Sequence, residues 1–147
     1  MKEFLGKVDV LFVSTSCRPF ASCRRGRKKE GTESHEDVKL IDSFFRTVKM
    51  TEPGAICFEQ VFGFALSEST ENSRSPLNVF LEKCDAEMPE YSYTVFVCDG
   101  DCFLVLVRHR LYVIFIHKRY GGKASLDALK HIVQAIQTQL KGNLNLK

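Results

Sequence analysis

Apolar positions along the chain follow two periods, one typical of strands and one typical of helices. Runs rich in β-branched and aromatic residues at 8–15, 55–69 and 93–117 predict strands. The middle run is either one bent strand or two, because Gly63 marks a bend. The last run divides into three predicted strands, 93–98, 101–107 and 111–117.

The strongest local signal is a turn inside that last run. Asp99-Gly100 lies between two apolar stretches, and this dipeptide suits a type I′ hairpin turn, whose central residues need positive φ. A polar break at 108–110 separates the second predicted strand from the third. The sequence therefore predicts a three-strand meander over 93–117.

Three stretches with apolar residues at helical spacing predict helices, and each begins with a residue that can cap it. Ser34 precedes the first helix, with Asp37 three residues on as a short capping box. Ser75 followed by Pro76 starts the second, because proline suits the first helical position. Ser125 caps the third. The predicted order is strand, helix, one or two strands, helix, three strands and helix.

This order predicts an α+β fold with one domain over 1–147, in which about three helices pack on a single mixed or antiparallel sheet. A doubly wound parallel fold is excluded, because the strands of 93–117 follow one another too closely for helical crossovers. These strands are apolar at nearly every position, so either both faces of the meander are expected to be covered or the sheet is expected to join another sheet. Three helices cover one face, and the second face is expected to need a partner.

Five segments carry a resemblance to a known group of domains. They are the helix 36–49, the strand region 55–68, the helix 76–86, the segment TVFVCDGDCFLVLVRHRLYVIFIH and the closing SLDALKHIVQAIQTQL. In order and hydrophobic texture they resemble the roadblock and longin group of small α+β scaffolds. Those domains consist of a helix, two strands, a helix, a three-stranded meander and a closing helix. The resemblance implies a dimerising platform in assemblies that control small GTPases, membrane traffic or motors, and not an enzyme.

One loop holds most of the positive charge. The chain carries a net charge of +3, whereas residues 18–29 contain six Lys and Arg residues and no acidic residue. This stretch lies in a polar segment, 16–34, that has no apolar period and is predicted to be a flexible loop. It suits a solvated loop, a nuclear signal or partner contact, or contact with nucleic acid or acidic lipid. The candidate residues are Arg24, Arg25, Arg27, Lys28 and Lys29.

The sequence contains no predicted membrane span. No apolar run reaches the ~18 residues that a bilayer requires. The apolar run near the start is short and interrupted by Asp9, so it does not resemble a secretory signal. The protein is therefore expected in the cytoplasm or the nucleus.

The six cysteines are expected to be reduced in that setting, and most lie inside apolar runs, where a free cysteine acts as a small hydrophobe. The pairs Cys17–Cys23 and Cys98–Cys102 lack the spacing of zinc ligands. No metal and no cofactor is expected.

Other candidate chemistry is sparse. Thiol catalysis needs a cysteine activated by a histidine, and His109 and His117 lie in or beside the meander, where one could meet a cysteine across strands. The stretch RYGGKAS, 119–125, follows a strand and opens a helix, which is the position of a phosphate-binding loop. It lacks the spacing of a P-loop, so an ordinary left-handed turn is the favoured interpretation.

The leading hypothesis is a non-enzymatic adaptor or scaffold subunit of an intracellular complex, acting through protein–protein association as a homo- or heterodimer. The residues predicted to bind the partner are Leu77, Phe80, Leu81, Phe103, Val105, Tyr112 and Ile114. For each of these residues, simple burial in the core is an equally good interpretation. A first alternative is a nuclear protein that associates with nucleic acid through the basic loop 18–29. A second is a cysteine-dependent hydrolase.

Overall fold

The computed structural model describes residues 8–21, 36–67, 74–98 and 109–144, with side chains up to residue 139 except that of residue 36. Its strands are β1 (Val10–Ser14), β2 (Ala55–Val61), β3 (Tyr91–Cys98) and β4 (Arg110–His117), and its helices are α1 (Leu40–Thr51), α2 (Pro76–Glu87) and α3 (Gly122–Leu144).

The strands form one mixed sheet in the order β1-β2-β4-β3. β1 pairs parallel with β2, and the other two pairings are antiparallel. The predicted α+β class, with one mixed sheet and three helices among the described residues, is confirmed.

The pairing inside the predicted meander differs from the expectation. β3 pairs directly with β4, from Tyr91 opposite His117 to Cys98 opposite Arg110. The run 101–107 therefore does not lie between them as a middle strand, and it falls outside the described residues, as does the Asp99-Gly100 turn. The prediction assumed that apolar runs adjacent in sequence pair with each other. Strand pairing also depends on the register across the sheet, which the runs alone do not specify.

The described part of the run 55–69, up to residue 67, contains a single strand. β2 ends at Val61, and a 3-10 turn over Phe62–Ala65 follows it. Gly63 and Phe64 are both buried in this turn, and the Phe64 ring contacts Phe58 and Phe80. The turn at Gly63 therefore directs an aromatic ring back into the core instead of beginning a second strand.

The core is a cluster of phenylalanine rings between one face of the sheet and the helices α1 and α2. Phe44 and Phe45 come from α1, Phe58 from β2, Phe80 from α2 and Phe115 from β4. The Phe58 and Phe80 rings stack with their centroids 4.5 Å apart. Such ring contacts add to the free energy gained by removing apolar area from water.

The opposite face of the sheet is partly covered by α3, which packs on β3 and β4. Leu126 is 2% exposed. A Cβ on Gly122 would meet the Ser92 hydroxyl of β3, and the Gln137 amide lies 4.0 Å from the Cys98 sulfur at the other end of that strand. The expectation that this face needs a partner is therefore wrong for β3 and β4, because the chain covers them itself.

Two predicted helix starts have different outcomes. The Ser75 hydroxyl accepts a hydrogen bond from the Asn78 backbone N–H at 3.2 Å, so Ser75 caps α2 as predicted. Ser125 does not cap α3, because that helix already begins at Gly122. The Ser125 hydroxyl instead donates to the Tyr120 carbonyl oxygen at 3.0 Å.

Within the ranges that the structure describes, no helix is both long enough and apolar enough to cross a membrane.

We expect Phe80→Ala to lower the free energy of unfolding by about 3–5 kcal/mol, because a fully enclosed ring is lost and the cavity is only partly refilled. Val79→Ala, at a neighbouring position that is 46% exposed, is the matched control and should change it by less than about 1 kcal/mol. Urea denaturation measures both. Equal effects of the two substitutions would contradict the placement of Phe80 in the core.

Candidate functional site

Three side chains with nucleophilic or charged groups lie at one edge of the sheet, which here means the side where strands begin and end. The parallel strands β1 and β2 both end there, and the antiparallel β4 begins there. Cys17 follows β1, Glu59 lies near the end of β2, and Arg110 is the first residue of β4. The edge beyond the carboxyl ends of parallel strands is where ligands bind in open sheets that contain helices. We therefore take this edge as the candidate site.

The Glu59 carboxylate is held through both of its oxygens. The Ser14 hydroxyl donates to Oε2 at 2.6 Å, and the Arg110 Nε lies 2.9 Å from Oε1. The Glu59 and Arg110 side chains are 27% and 24% exposed, so the pair is oriented and still reachable from solvent. Tyr112 lies directly opposite Glu59, and burial, followed by the charge of Glu59, raises the pKa of its phenol.

Gln60 connects β2 to the segment that follows β1. Its side chain is 1% exposed, and its amide nitrogen donates to the Thr15 carbonyl oxygen, the Thr15 hydroxyl and the Ser16 carbonyl oxygen at 3.1, 2.8 and 3.3 Å. Its amide oxygen accepts from the Val61 N–H at 3.0 Å. All polar atoms of this buried side chain therefore have partners, and the backbone leading to Cys17 is fixed beside Glu59.

The turn after Cys17 is anchored by apolar packing. The Phe20 and Ala21 N–H groups donate to the Cys17 carbonyl oxygen at 3.0 and 2.9 Å, which closes a short 3-10 turn. Pro19 and Phe20 are buried, and the Phe20 ring packs edge-on against Phe64 at 4.7 Å. Cys17 itself is exposed. The turn thus holds Cys17 at the surface, and the buried side chains of Pro19 and Phe20 fix its backbone.

Asp37 contacts the segment that precedes Cys17. Its carboxylate accepts a hydrogen bond from the Ser16 hydroxyl at 2.6 Å, and the same hydroxyl oxygen accepts from the Arg18 N–H at 3.4 Å. Ser34, the predicted cap, lies outside the described residues. Asp37 therefore helps to hold the segment around Cys17.

The other described cysteines are protected from reaction to different degrees. Burial raises the pKa of the Cys84 thiol to about 12. Burial also raises the pKa of Cys57, with a smaller contribution from Glu59, and Cys98 is half-buried. Because the thiolate is the nucleophile, Cys17 is the best-placed thiol for chemistry in the part of the chain that the structure describes.

The predicted histidine partners do not form a triad with this thiol in the contacts observed. The His109 ring lies against Phe62, with centroids 5.9 Å apart, near the candidate edge. His117 lies at the far end of β4, where its Nδ1 accepts from the Arg119 N–H at 3.1 Å. The arrangement at the edge is instead a thiol with an oriented carboxylate and a guanidinium, which suits covalent catalysis on a polar substrate.

The glycine turn considered for phosphate lies elsewhere. Gly121, with φ 92°, and Gly122, with φ 44°, follow the end of β4, at the edge opposite Glu59. A Cβ on Gly121 would overlap the Ser125 hydroxyl, so the turn is filled by the chain itself. It is a left-handed turn that precedes a helix and is separate from the candidate site. No group of three or more metal-binding side chains occurs among the described residues.

The residues predicted to bind a partner are distributed through the fold. Phe80 is 3% exposed and belongs to the core, and Leu77 and Leu81 are half-buried against it. Tyr112 and Ile114 are half-buried on the other face of the sheet. The other two residues predicted to bind a partner, Phe103 and Val105, fall outside the described ranges. So do the residues of the basic loop that were predicted as a nuclear signal or a phosphate contact: Arg24, Arg25, Arg27, Lys28 and Lys29.

The pattern of the sequence alone did not predict that Cys17, Glu59, Gln60 and Arg110 belong to one region. A usable signal was present, since Glu59-Gln60 interrupts an otherwise apolar strand, and Cys17 directly follows another. Polar side chains at the carboxyl ends of neighbouring strands indicate a site only when those strands are known to be parallel. The pairing of β1 with β2 supplies that information.

Comparisons with known proteins identify the fold. No protein-family model and no curated protein matches the sequence. The solved methyltransferase EhMeth of Entamoeba histolytica matches with a TM-score of 0.51 and 17% identity, covering 74% of this chain and 32% of that chain. A proposed DNA modification methyltransferase encoded within a prophage of E. coli matches with a TM-score of 0.55 and 15% identity, covering 78% of this chain and 28% of that one.

The chain thus spans about a third of the length of the methyltransferases whose fold it shares. This likeness contradicts two predictions, that the protein is not an enzyme and that it is an adaptor or scaffold subunit of a complex, because the two solved structures described above are methyltransferases. The alternatives of a nucleic-acid-associated protein and a cysteine hydrolase match these structures no better. The likeness to the roadblock and longin group stays a prediction.

Proposed function

We propose that the chain is the substrate-binding part of a methyltransferase that acts on a base of DNA through Cys17. Two features at one edge of the sheet carry this proposal: Cys17, which follows β1, is exposed, and the Glu59 carboxylate, near the end of the parallel strand β2, is held through both of its oxygens. One of the two methyltransferases described above is a proposed DNA modification enzyme, which supports DNA as the substrate.

Cys17 would act as the nucleophile. A thiolate that adds to an unsaturated ring carbon of a pyrimidine forms a carbon–sulfur bond, and the electron pair of the opened double bond moves to the adjacent ring carbon. That carbon is then electron-rich enough to accept a methyl group. Such a covalent step divides a difficult substitution into two easier ones.

Glu59 and Arg110 would orient the base. A carboxylate and a guanidinium together can hydrogen-bond the donors and acceptors along the polar edge of a heterocycle. Ser14 and Arg110 hold the carboxylate before the substrate arrives. The Glu59 side chain therefore loses little conformational freedom when the substrate binds. Arg18, exposed directly after Cys17, supplies positive charge for the phosphate backbone.

A methyltransferase also needs a methyl donor, and the described residues do not fit one. Nucleotide-like groups bind at glycine-rich turns that lead from a strand into a helix. The glycine turn of this kind in the described residues, Gly121-Gly122, lies at the edge opposite Glu59 and is filled by Ser125. The described residues would therefore bind the substrate of the reaction and not the methyl donor.

We expect the purified chain to form a covalent adduct with DNA that contains 2-pyrimidinone deoxyriboside. This base lacks the exocyclic amino group of cytosine, so its ring is more electrophilic, and addition of the thiol needs no methyl donor. Intact-protein mass spectrometry would show the added mass, and peptide mapping would place it on Cys17. Cys17→Ser should abolish the adduct, whereas the control Cys57→Ser, at a half-buried thiol, should retain it. An adduct that persists in Cys17→Ser would refute the proposal.

We expect Glu59→Gln to slow adduct formation at least about tenfold, a loss of about 1.4 kcal/mol, because the ion pair with Arg110 disappears while the shape of the side chain is kept. Gln60→Leu should slow it comparably by releasing the segment before Cys17. Glu87→Gln is the matched control, since Glu87 is another partly exposed carboxylate, paired with Lys49 at 2.7 Å. Rates come from timed mass spectra, and an unchanged rate in Glu59→Gln would remove that residue from the site.

A further inference from the structure

The segment that leads to Cys17 is held from two different parts of the fold. On the side of the sheet, the Gln60 amide nitrogen donates to the carbonyl oxygens of Thr15 and Ser16. On the side of the helices, the Ser16 hydroxyl donates to the Asp37 carboxylate at 2.6 Å. Both sets of contacts meet at Ser16, the half-buried residue directly before the thiol.

The Ser16 hydroxyl also shapes the turn at Cys17. Its oxygen accepts a longer hydrogen bond, of 3.4 Å, from the Arg18 N–H, which is the pattern of a turn closed by a serine side chain. Cys17 is the middle residue of this turn, so the direction of its side chain depends on the backbone angles that the turn imposes. The bond to the Asp37 carboxylate is charge-assisted and short, and it therefore fixes the rotamer in which the hydroxyl closes the turn.

Asp37 is itself placed by the core. It lies in a 3-10 turn over Glu36–Lys39 that leads directly into α1. The next residue, Val38, packs against the phenylalanine core, as does Ile41 in the following turn of helix. The same 3-10 turn contacts the turn over Arg18–Phe20. The carboxylate that holds Ser16 is therefore carried by a backbone that the core keeps in place.

The direction of the thiol matters for the proposed addition to a base. A sulfur that forms a bond with a ring carbon must approach it closely and along a restricted path, and a displacement of about 1 Å can slow such a step by about a hundredfold. Gln60 fixes the backbone ahead of Ser16. The bond from Asp37 acts on the Ser16 side chain and, through it, on the backbone after Cys17.

We propose that Asp37 is a positioning residue for Cys17, which acts through the Ser16 hydroxyl and sets the direction in which the thiol meets the base. The inference rests on the proposed function, which supplies the base. In this arrangement Gln60 holds the backbone, Ser16 holds the turn, and Asp37 holds Ser16. Asp37 therefore contributes to the rate at which the carbon–sulfur bond forms and not to the affinity for DNA.

The rate of adduct formation with DNA that contains 2-pyrimidinone deoxyriboside measures this contribution. Asp37→Leu, which keeps a side chain of similar size without an acceptor, should slow it about tenfold to a hundredfold. Asp37→Asn keeps an acceptor oxygen for the Ser16 hydroxyl and should retain most of the wild-type rate. Asp42→Asn, which removes the carboxylate of α1 that accepts from Lys83, is the control for lost charge and should leave the rate unchanged. A rate in Asp37→Asn as low as that in Asp37→Leu would overturn the inference.

A double-mutant comparison tests the route through Ser16. Ser16→Ala should slow the adduct as much as Asp37→Leu does, and Ser16→Thr, which retains a hydroxyl, should keep most of the rate. The double variant with both Ser16→Ala and Asp37→Leu should be no slower than the slower single variant, because both substitutions remove the same contact. Effects that multiply would show that Asp37 does not act through Ser16.

Two further measurements distinguish positioning from a loss of binding or of folding. The affinity of Asp37→Leu for the labelled duplex, measured by fluorescence anisotropy, should stay within about twofold of the wild-type affinity. Alkylation of Cys17 by iodoacetamide, followed by peptide mapping, should keep its rate, because a small reagent attacks an exposed thiol from many directions. A loss of affinity or of alkylation as large as the slowing of the adduct would contradict a positioning role.

Hydrogen exchange without DNA separates this inference from the proposed function. Asp37→Leu should speed the exchange of the amides of residues 18–21 and leave those of β4 unchanged. If the wild-type chain forms no adduct while this exchange rises, the chemistry assigned to Cys17 is wrong and the hold of Asp37 on the turn stands. If the wild-type adduct forms and Asp37→Leu changes neither its rate nor the exchange, the proposed function stands and the positioning role is wrong.

Discussion

The buried side chain of Gln60 is the constraint on which the candidate site depends. Its amide nitrogen donates to the segment after β1, and its amide oxygen accepts from the Val61 N–H of its own strand, so both polar atoms have partners. A polar group without partners at this depth would destabilise the fold by about 1–3 kcal/mol, so the contacts are strongly favoured together. Because Gln60 directly follows Glu59, the interaction that secures the loop also sets the position of the carboxylate relative to Cys17.

The aromatic residues that anchor the turn of Cys17 also form part of the core. The Phe20 ring below Cys17 packs on Phe64, and Phe64 packs on Phe58 and Phe80. The turn that carries the Cys17 thiol therefore contributes one of its own side chains, Phe20, to the aromatic core. A site on a loop can be as rigid as one on a strand when the loop is anchored in this way.

Local patterns predicted the elements well and their partners poorly. The helix start at Ser75 was visible because capping involves residues close in sequence, and the α+β class followed from the order of the elements. The direct pairing of β3 with β4 and the parallel pairing of β1 with β2 depend on contacts between distant residues, which periodicity does not encode. The site was missed for the same reason, since only those pairings bring Glu59 and Arg110 together and place both at the edge where the segment of Cys17 begins. The adaptor hypothesis rested on the amount of apolar sequence, and α3 covers part of that surface.

The distribution of the site over three strands has a consequence for biosynthesis. Cys17 leaves the ribosome first, as an ordinary accessible thiol, and Arg110 follows only after most of the sheet has been made. The carboxylate of Glu59 acquires both of its partners only when β4 has joined β2. The arrangement of Glu59 with both of its partners therefore exists only after these distant segments have been synthesised and paired.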